Sequence, residues 1–448
     1  MSDSQEVFSS LRFAFLAIAA IPFIYYLLAL FSSLRFFLGS RRARVSGSRE
    51  PFLPPVSILK PVRGLDPGAY ENFASFCRLD YPEYEILFCV GDMEDPALAV
   101  LDRLVRDFPH TKIRVFVGSE HEATQEMAAS MAATNATAEN ASYPDATPPK
   151  TTVQSATIRT TTIRKATNDK CAKLARLTDE AAYEHLAIND SDVRVEPDYL
   201  RRLMAPLANP RVGAVTTLYV PLDRSGWIES LQEAGMLSEF YPGLFVARDL
   251  DGVKFALGPT IATCRSYLRE FGGYAAIENR PADDLLIGRL TAEQGREVVL
   301  LPYAITTVPD FQSLHELFMK RLRWMTVMRH MRPAGHLGLI FTLGLPWMLL
   351  ALLLAPNALI AWSFLGGYLL MRGALTLLVG RFGLGERGLW REVLLVPLWD
   401  AMATLIWLVS FTRHTIRWRG HDYAIVNGQL VPAHNRADFA AKGAHNES

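Results

Sequence analysis

The sequence predicts an α/β domain joined to membrane helices. Half of the 448 residues are hydrophobic and the mean hydropathy is +0.11, which is high for a water-soluble protein. Several apolar runs are long enough to cross ~30 Å of hydrocarbon. Between them, short runs rich in β-branched residues alternate with helix-like stretches. This alternation is typical of a largely parallel sheet covered by helices on both faces.

The composition argues against nucleic-acid binding and against a cysteine-built scaffold. The chain has 46 basic and 46 acidic residues, with no basic arm and no zinc-ligand spacing. Its four cysteines are scattered without a C-x-x-C motif, which predicts neither a metal knuckle nor a disulfide framework. Reduced cysteines in a cytoplasmic domain are the simplest interpretation.

Residues 1–45 are predicted to form an N-terminal transmembrane anchor. The run "RFAFLAIAAIPFIYYLLALFSSLRFF" at 12–37 holds ~20 mostly apolar residues, enough to span a bilayer. A cleaved signal peptide is the rival, but Arg41, Arg42 and Arg44 follow instead of a small-residue cleavage site. The positive-inside rule then places the next domain in the cytoplasm.

Residues 46–310 are predicted to form the α/β domain. An Ala-, Thr- and Ser-rich stretch at 119–166 interrupts it, and we interpret this stretch as a flexible insertion, partly helical at 122–134, with an active-site lid as the alternative. Helices are predicted at 96–107 and 170–183. Strands are predicted at 55–60, 84–90, 112–118, 185–190 and 212–217.

The remaining chain is predicted to return to the membrane. Residues 311–335 have apolar positions at helical spacing and several basic residues, which indicates an amphipathic interfacial helix, with an ordinary domain helix as the alternative. Residues 336–415 are predicted to hold C-terminal transmembrane helices, and 416–448 a tail.

The apolar runs within 336–415 are not equally clear. The runs 337–355 and 358–380 are predicted to form a helical hairpin. The run 393–411 contains Pro397 and Asp400, so it either spans the bilayer or re-enters it. An acid at membrane depth is a functional candidate, or the partner of a nearby arginine.

Acidic residues stand where predicted strands end. Asp92 follows the second run, and Asp190 ends the fourth, with Asp192 two residues later. Ligands of such sheets bind at the carboxyl ends of the strands. Two neighbouring carboxylates repel each other unless a cation lies between them. A turn built from Asn, Asp and Ser is the simpler alternative.

Four blocks of the sequence resemble the ceramide glucosyltransferases. They occur in order, and outside the insertion their spacing is that of the family. The resemblance covers about 55 to 330 and extends weakly to "WRGHDYAI" at 418–425. The blocks are "LKPVRGLDPGAYENFASFCRLDYPEYEILFCVGDMEDPA" at 59–97, "NDSDVRVEPDYL" at 189–200, "GVKFALGPTIATCRSYLREFGGYAAIENRPADDLLIGRL" at 252–290 and "KRLRW" at 320–324.

The resemblance implies a GT-A (Rossmann-like) fold and an inverting transfer of glucose from UDP-glucose to the primary hydroxyl of ceramide. Asp92 matches the family's first aspartate, on the nucleotide side. Asp190 matches the second, in a D-x-D-like motif. The resemblance then implies a Mg²⁺ or Mn²⁺ ion between Asp190, Asp192 and the diphosphate. Asp284 matches the third aspartate, the general base.

The resemblance also assigns residues around the donor. Arg323 and Trp324 match the R-W of the (Q/R)-x-x-R-W motif, although Trp324 also suits a membrane-interface anchor. Lys320 stands where the family has Gln or Arg. Asn168 and Lys170 in "NDKCAK" match an Asn and a Lys of the family's post-strand loop, which implies contact with phosphate, with a solvated helix start as the alternative.

Two further features leave alternatives open. Asp284, next to Asp283, also suits the first turn of a helix. A histidine that the family carries before the "GVKF" block is not evident, and "SEFYPGLF" stands there at 238–245.

Other functions are consistent with the same apolar segments, α/β domain and acidic residues. One is a related transferase that moves another UDP-sugar (N-acetylglucosamine, galactose or glucuronate) onto a phospholipid or hopanoid-type lipid. A processive polysaccharide synthase would need more membrane spans, and a catalytically dead scaffold would not need four intact blocks. The Ala-, Leu- and Arg-rich composition indicates a bacterial protein of the inner membrane.

Overall fold

A nine-stranded mixed sheet forms the centre of the molecule. The computed structural model describes residues 3–45, 51–119, 158–162, 166–222, 226–309, 311–418, 421–426 and 428–433. The strands of this sheet are β1 (Val56–Pro61), β2 (Tyr84–Val90), β3 (Ile113–Ser119), β4 (Ile158–Thr162), β5 (His185–Asn189), β6 (Val193–Arg194), β7 (Val212–Pro221), β8 (Thr260–Cys264) and β9 (Glu297–Thr307).

The sheet order is β4-β3-β2-β1-β5-β8-β7-β9-β6. The half from β4 to β5 is parallel. In the other half β8 runs antiparallel to β5 and β7, and β6 runs antiparallel to β9. β7 and β9 pair in parallel. The five strands predicted from the sequence are confirmed, and the sheet is largely parallel as expected, with antiparallel pairs among the described strands only at β8 and β6.

Successive side chains of the central strands enter two different cores. Ile58 and Ile86 pack in one hydrophobic cluster, whereas Leu59 and Leu87 pack in another. Alternation of side chains along a strand produces this division, because neighbouring residues point to opposite faces. Both faces are therefore buried, as continuous apolar runs in the sequence predict.

The structure corrects one boundary of the predicted insertion. Residues 158–162, which the sequence analysis counted in the insertion, form the edge strand β4 beside β3. The Thr-rich sequence of this strand is consistent with a strand, since β-branched residues favour extended backbone. The helix expected at 122–134 lies outside the described residues.

The chain has two groups of helices, one within the α/β domain and one in the segments before and after it. Both helices predicted for the α/β domain are present, at Ala97–Asp107 and Asp169–Glu180. The helices of the domain are α3 (Ala69–Cys77), α4 (Ala97–Asp107), α5 (Asp169–Glu180), α6 (Tyr199–Met204), α7 (Trp227–Gly235), α8 (Tyr241–Asp251), α9 (Arg265–Glu270) and α10 (Asp283–Glu293). Those outside it are α1 (Asp3–Ala19), α2 (Ile21–Val45), α11 (Leu314–Met331), α12 (Pro333–Gly338), α13 (Gly344–Leu354), α14 (Ala358–Leu377) and α15 (Trp390–Ser410).

Within the described part of the chain, three helical segments are long and apolar enough to cross a membrane, namely 8–39, 358–384 and 390–410. The run 393–411 forms one continuous helix, α15, although it contains Pro397. The run 337–355, predicted as one span, is instead broken, because α12 and α13 belong to a bent pair with an angle of 42°. Pro346 lies in the first turn of α13, and a proline has no N–H to donate to the carbonyl oxygen four residues earlier, which here is that of Thr342 at the break.

Polar contacts join the apolar helices to the α/β domain. Asp400 on α15 accepts hydrogen bonds from Arg372 and from Tyr368 on α14 (3.0 and 2.7 Å), and all three side chains are buried. Arg372 also donates to the carbonyl oxygen of Ser238, between α7 and α8. Asp400 is thus the partner of an arginine, which was one of the two alternatives from the sequence.

A small antiparallel sheet follows the last apolar helix. It consists of β10 (Thr415–Trp418), β11 (His421–Val426) and β12 (Gln429–Pro432) in that order. Its side chains Ile416, Ile425 and Leu430 pack with Val327 of α11. The segment predicted as a C-terminal tail therefore holds ordered structure up to β12.

Candidate active site

The candidate site lies at the edge of the sheet where β1, β2 and β5 end. β1 pairs with β2 and with β5 in parallel, so the residues that follow β2 and β5 lie on the same edge. Asp92 follows β2, and Asp190 and Asp192 follow β5. The structure places these acids at the edge that the order of strands and acids in the sequence predicts.

Asp190 and Asp192 lie in a turn after β5, which ends at Asn189. The amide of Val193 donates to the carbonyl oxygen of Asp190 (3.4 Å), and the amide of Val308 donates to that of Asp192 (3.0 Å). The backbone of the turn is therefore held from two sides. Both carboxyl groups remain partly exposed at the edge of the sheet.

Lys170 joins two of the acidic residues. Its Nζ lies 2.7 Å from Asp190 Oδ1 and 3.4 Å from Asp283 Oδ2. Burial disfavours the charged form of Lys170, but the carboxylates of Asp190 and Asp283 outweigh burial and raise its pKa well above the usual value. Lys170 is therefore a fixed positive charge at the centre of the acidic group.

Asn168 fixes the start of the helix that carries this lysine. Its side-chain oxygen caps α5 by accepting hydrogen bonds from the amides of Lys170 and Cys171 (3.1 and 3.4 Å). Its Nδ2 donates to Asp283 Oδ1 (3.5 Å). Asn168 is fully buried, so the alternative of a solvated helix start does not hold for it.

Asp283 and Asp284 begin α10 but face different neighbours. Asp283 is buried against Lys170 and Asn168. Asp284 Oδ2 lies 3.0 Å, and Asp190 Oδ2 lies 3.6 Å, from the position that a Cβ on Gly258 would take. Asp284 and Asp190 therefore face the same small space beside Gly258. This space is open because glycine has no side chain to fill it.

The pair is preceded by an unusual backbone conformation. Ala282 has φ of +56°, in the left-handed region, and no other non-glycine residue of the described chain has a positive φ. Such a conformation is unfavourable for alanine and persists only where surrounding contacts enforce it, often at functional sites. The first turn of α10 begins at the next residue.

The environment of Asp284 suits a group that accepts a proton. Burial, and then the neighbouring charge of Asp283, raise its pKa from 3.8 to about 6, against the opposing effect of Lys170. At neutral pH the carboxylate is mostly ionised, yet basic enough to take a proton from a hydroxyl group as that group reacts.

Lys60 is a member of the site that the sequence analysis missed. It is fully buried at the end of β1, and its Nζ donates to the carbonyl oxygen of Asp190 (2.9 Å) and lies 3.8 Å from the ring centroid of Phe76. Burial lowers its pKa to about 7, despite the charges of Asp192 and Asp190. A lysine inside the apolar run "VSILK" is the signal that predicts such a buried cation.

The other predicted donor residues lie on the loop after β2 and on α11. Asp92 is exposed at the same edge, where its Oδ1 accepts a hydrogen bond from the amide of Glu94 (2.9 Å). Arg323 is partly buried on α11. The ring of Trp324 packs against the guanidinium of Arg321, whose central carbon lies 4.8 Å from the ring centroid. The structure therefore joins Lys170, Asp190 and the α10 acids in one group.

The acidic turn offers few ligands for a metal ion. Across the part of the chain that the structure describes, no group of three or more His, Cys, Asp or Glu side chains is arranged to hold one. Asp190 and Asp192 supply two carboxylates, and Asp190 Oδ2 faces the open space beside Gly258. Mg²⁺ is commonly bound by one or two carboxylates together with substrate phosphates, so this donor set fits an ion that arrives with a diphosphate.

The fold and the site together define a glycosyltransferase with a GT-A-type α/β domain. Apolar helices precede and follow this domain in the chain. The chain belongs to glycosyl transferase family 21, whose sequence profile matches residues 14–143 and 152–431.

Curated proteins similar to this chain include ceramide glucosyltransferases. Ceramide glucosyltransferase 1 of Caenorhabditis elegans is 23% identical over 327 residues, which cover 72% of this chain and 59% of that protein. The ceramide glucosyltransferase of Komagataella phaffii is 37% identical over 71 residues, 16% of this chain and 14% of that protein. The chain thus spans less than two thirds of the length of these relatives.

Solved structures show a more distant likeness. A mannosyltransferase of Pyrobaculum calidifontis, in complex with GDP-Man and Mn²⁺, is 16% identical with a TM-score of 0.48, covering 87% of this chain and 99% of that chain. TarS of S. aureus in complex with UDP-GlcNAc is 11% identical with a TM-score of 0.35, covering 84% and 98%. Both TM-scores lie below 0.5, so these structures bear on neither the donor nor the acceptor of this chain.

Proposed function

We propose that the protein transfers glucose from UDP-glucose to the primary hydroxyl of ceramide, with inversion at the anomeric carbon. The observation that carries this proposal is the convergence of Asp284 and Asp190 on the space beside Gly258, with Lys170 in contact with Asp190. One carboxylate is basic enough to accept a proton, and the other lies beside a fixed cation. An acceptor alcohol and a sugar diphosphate require this pair of environments.

Asp284 is the general base in this proposal. The acceptor oxygen forms a bond to the anomeric carbon while the bond from that carbon to the diphosphate oxygen breaks. The hydroxyl proton passes to the Asp284 carboxylate, and the bonding electrons leave with UDP. A single displacement of this kind inverts the configuration. A positioned carboxylate contributes ~10² to 10⁴-fold in rate.

Asp190 and Asp192 are the groups that would hold Mg²⁺ or Mn²⁺ beside the diphosphate. The ion would supply positive charge where negative charge develops on the leaving UDP. Lys60 supports this turn from behind through the carbonyl oxygen of Asp190. Lys170 supplies a second positive charge, and we infer that it contacts a donor phosphate when the nucleotide is bound.

Asp92, Arg323 and Trp324 complete the proposed donor site. Asp92 lies at the same edge of the sheet as Asp190, on the nucleotide side in this proposal. The guanidinium of Arg323 suits a diphosphate because it donates hydrogen bonds in a fixed fork. Both α11 residues lie on a helix that is followed directly by the apolar helices, from which a lipid acceptor would approach.

The proposed acceptor places the reaction at a membrane surface. We infer that the α/β domain lies in the cytoplasm at a bacterial inner membrane, with 311–335 along the interface. The basic residues 41, 42 and 44 after the first apolar segment support this orientation.

A donor and acceptor panel tests the proposal. Membranes containing the expressed protein are incubated with labelled UDP-glucose, UDP-galactose, UDP-glucuronate or UDP-N-acetylglucosamine, each with ceramide, and the labelled lipid is identified by mass spectrometry. The expected result is label from UDP-glucose in hexosylceramide. Label from another donor, or label in a phospholipid or hopanoid-type lipid, would show that the assigned substrates are wrong.

A further inference from the structure

The loop before the acidic pair is joined to the residues that start α5. The amide of Asn168 donates to the carbonyl oxygen of Glu278 (2.9 Å), and the amide of Thr167 donates to the side-chain oxygen of Asn279 (3.2 Å). Asn168 then contacts Asp283 with its own side chain. Together with the contact between Lys170 and Asp283, these hydrogen bonds connect the two segments that carry the lysine and the acids at four points.

A third segment, β12, also contacts Asn279. The amide of Leu430 on β12 donates to the carbonyl oxygen of Asn279 (2.7 Å). Leu430 belongs to the cluster that packs the C-terminal sheet against Val327 of α11. Asn279 is therefore where the acidic loop, the start of α5 and the C-terminal sheet come together.

We propose that Asn279 is a positioning residue, whose side-chain oxygen sets the distance between Lys170 and the acidic pair Asp283–Asp284. The inference rests on the proposed function, because the lysine and Asp284 are its donor-binding and base groups. Asn279 touches no reacting atom. It acts through the amide of Thr167, three residues before Lys170.

The position of Asn279 separates this role from a general role in folding. Its side chain is exposed, and exposed substitutions usually change stability little. A small misplacement of catalytic groups, by contrast, can lower a rate up to ~10²-fold. Loss of one hydrogen bond at this point should therefore affect turnover much more than it affects unfolding.

Two variants and a matched control test the role of Asn279. Asn279→Ala removes the side-chain acceptor, and Asn279→Asp retains one. Asn209→Ala is the control, because Asn209 is also exposed and its Oδ1 also accepts one backbone hydrogen bond, from Arg211 (3.1 Å), next to the start of β7. We expect Asn279→Ala to lower the turnover number for lipid transfer ~10-fold. We expect Asn279→Asp and the control to stay within about twofold of the parent protein, since each keeps the acceptor at 279.

Amide hydrogen exchange rates provide a readout of the Asn279 contact that does not require substrate. We expect faster exchange at the amides of Thr167 and Lys170 in Asn279→Ala than in the parent protein or the Asn209→Ala control, with an unchanged melting temperature. If the parent protein transfers no glucose to ceramide, the proposed function fails, and the exchange measurement still tests the role of Asn279. Parent-like turnover and exchange in Asn279→Ala, or equal losses in all three variants, would overturn the inference.

Discussion

Replacing Asp284 by asparagine removes the proposed base while keeping the size of the side chain. Asp284 Oδ2 is the carboxylate oxygen nearest the space beside Gly258. With a pKa of about 6, Asp284 is mostly ionised at pH 7.5, so the parent protein is close to its full rate. We expect Asp284→Asn to lower the turnover number by ~10² to 10⁴. This range corresponds to ~3 to 5 kcal/mol in the barrier.

The same substitution should not destabilise the fold. The pKa of Asp284 is raised from 3.8 to about 6, so the folded chain binds this proton more tightly than the unfolded chain does. The resulting stability is fully present below about pH 4 and is lost as the pH rises through about 6, a difference of up to about 3 kcal/mol. At pH 7.5 the parent protein buries an ionised carboxylate at position 284, which destabilises the fold. The uncharged asparagine removes this destabilisation. The melting temperature of Asp284→Asn should therefore equal or exceed that of the parent protein.

Asp283→Asn is the matched control for this experiment. Asp283 contacts Lys170 and Asn168 rather than the space beside Gly258, so its replacement should lower turnover less than ~10-fold. Initial rates of transfer of labelled glucose to ceramide, at saturating UDP-glucose and pH 7.5, measure both variants. An active Asp284→Asn enzyme beside an inactive Asp283→Asn enzyme would refute the assignment of the base.

Four further predictions follow from the geometry of the site. Removal of divalent cations with EDTA should abolish transfer, with Asp190→Asn costing more activity than Asp192→Asn; full activity in excess EDTA would exclude the metal role. Gly258→Ala should lower turnover ~10-fold with an unchanged fold, because its Cβ would lie 3.0 Å from Asp284 Oδ2, and turnover equal to that of the parent would mean that this space is not used. The kcat/KM of the parent protein should fall tenfold per pH unit below about 6, as Asp284 takes up its proton, and a flat profile down to pH 5 would contradict the pKa of this base. Lys170→Met should weaken UDP binding, measured by calorimetry, while unchanged affinity would remove Lys170 from the donor site.

Strands β1, β2, β3, β5 and β7 could be predicted from the sequence, whereas β4, β6, β8 and β9 could not. β1, β2 and β5 are continuous apolar runs, and their burial on both faces leaves a strong local pattern. β8 is the short run "TIATC", and β9 contains Pro302, so neither has such a pattern. Their direction depends on which strands they meet, which is a property of the tertiary structure.

The acids of the site could be named from the sequence, but the contacts among them could not. Asp190 and Asp284 stand in blocks that resemble a known family, and strand ends predict where ligands bind. The meeting of Asp284 with Asp190 depends on Gly258, 26 residues before Asp284 in the chain. The fixed charge of Lys170 likewise requires that the first turns of α5 and α10 lie side by side. A local sequence pattern cannot predict this proximity.

The most direct test of the proposed reaction is the structure of the product made by the purified protein in lipid nanodiscs. UDP-glucose, ceramide and Mg²⁺ are supplied, and the lipid product is characterised by mass spectrometry and by NMR of the anomeric proton. Because UDP-glucose carries an α-linked sugar, a single displacement at the Asp190–Asp284 site predicts β-glucosylceramide from the parent protein and almost none from Asp284→Asn. An α-linked product, or equal amounts of product from both proteins, would contradict the proposed role of this site.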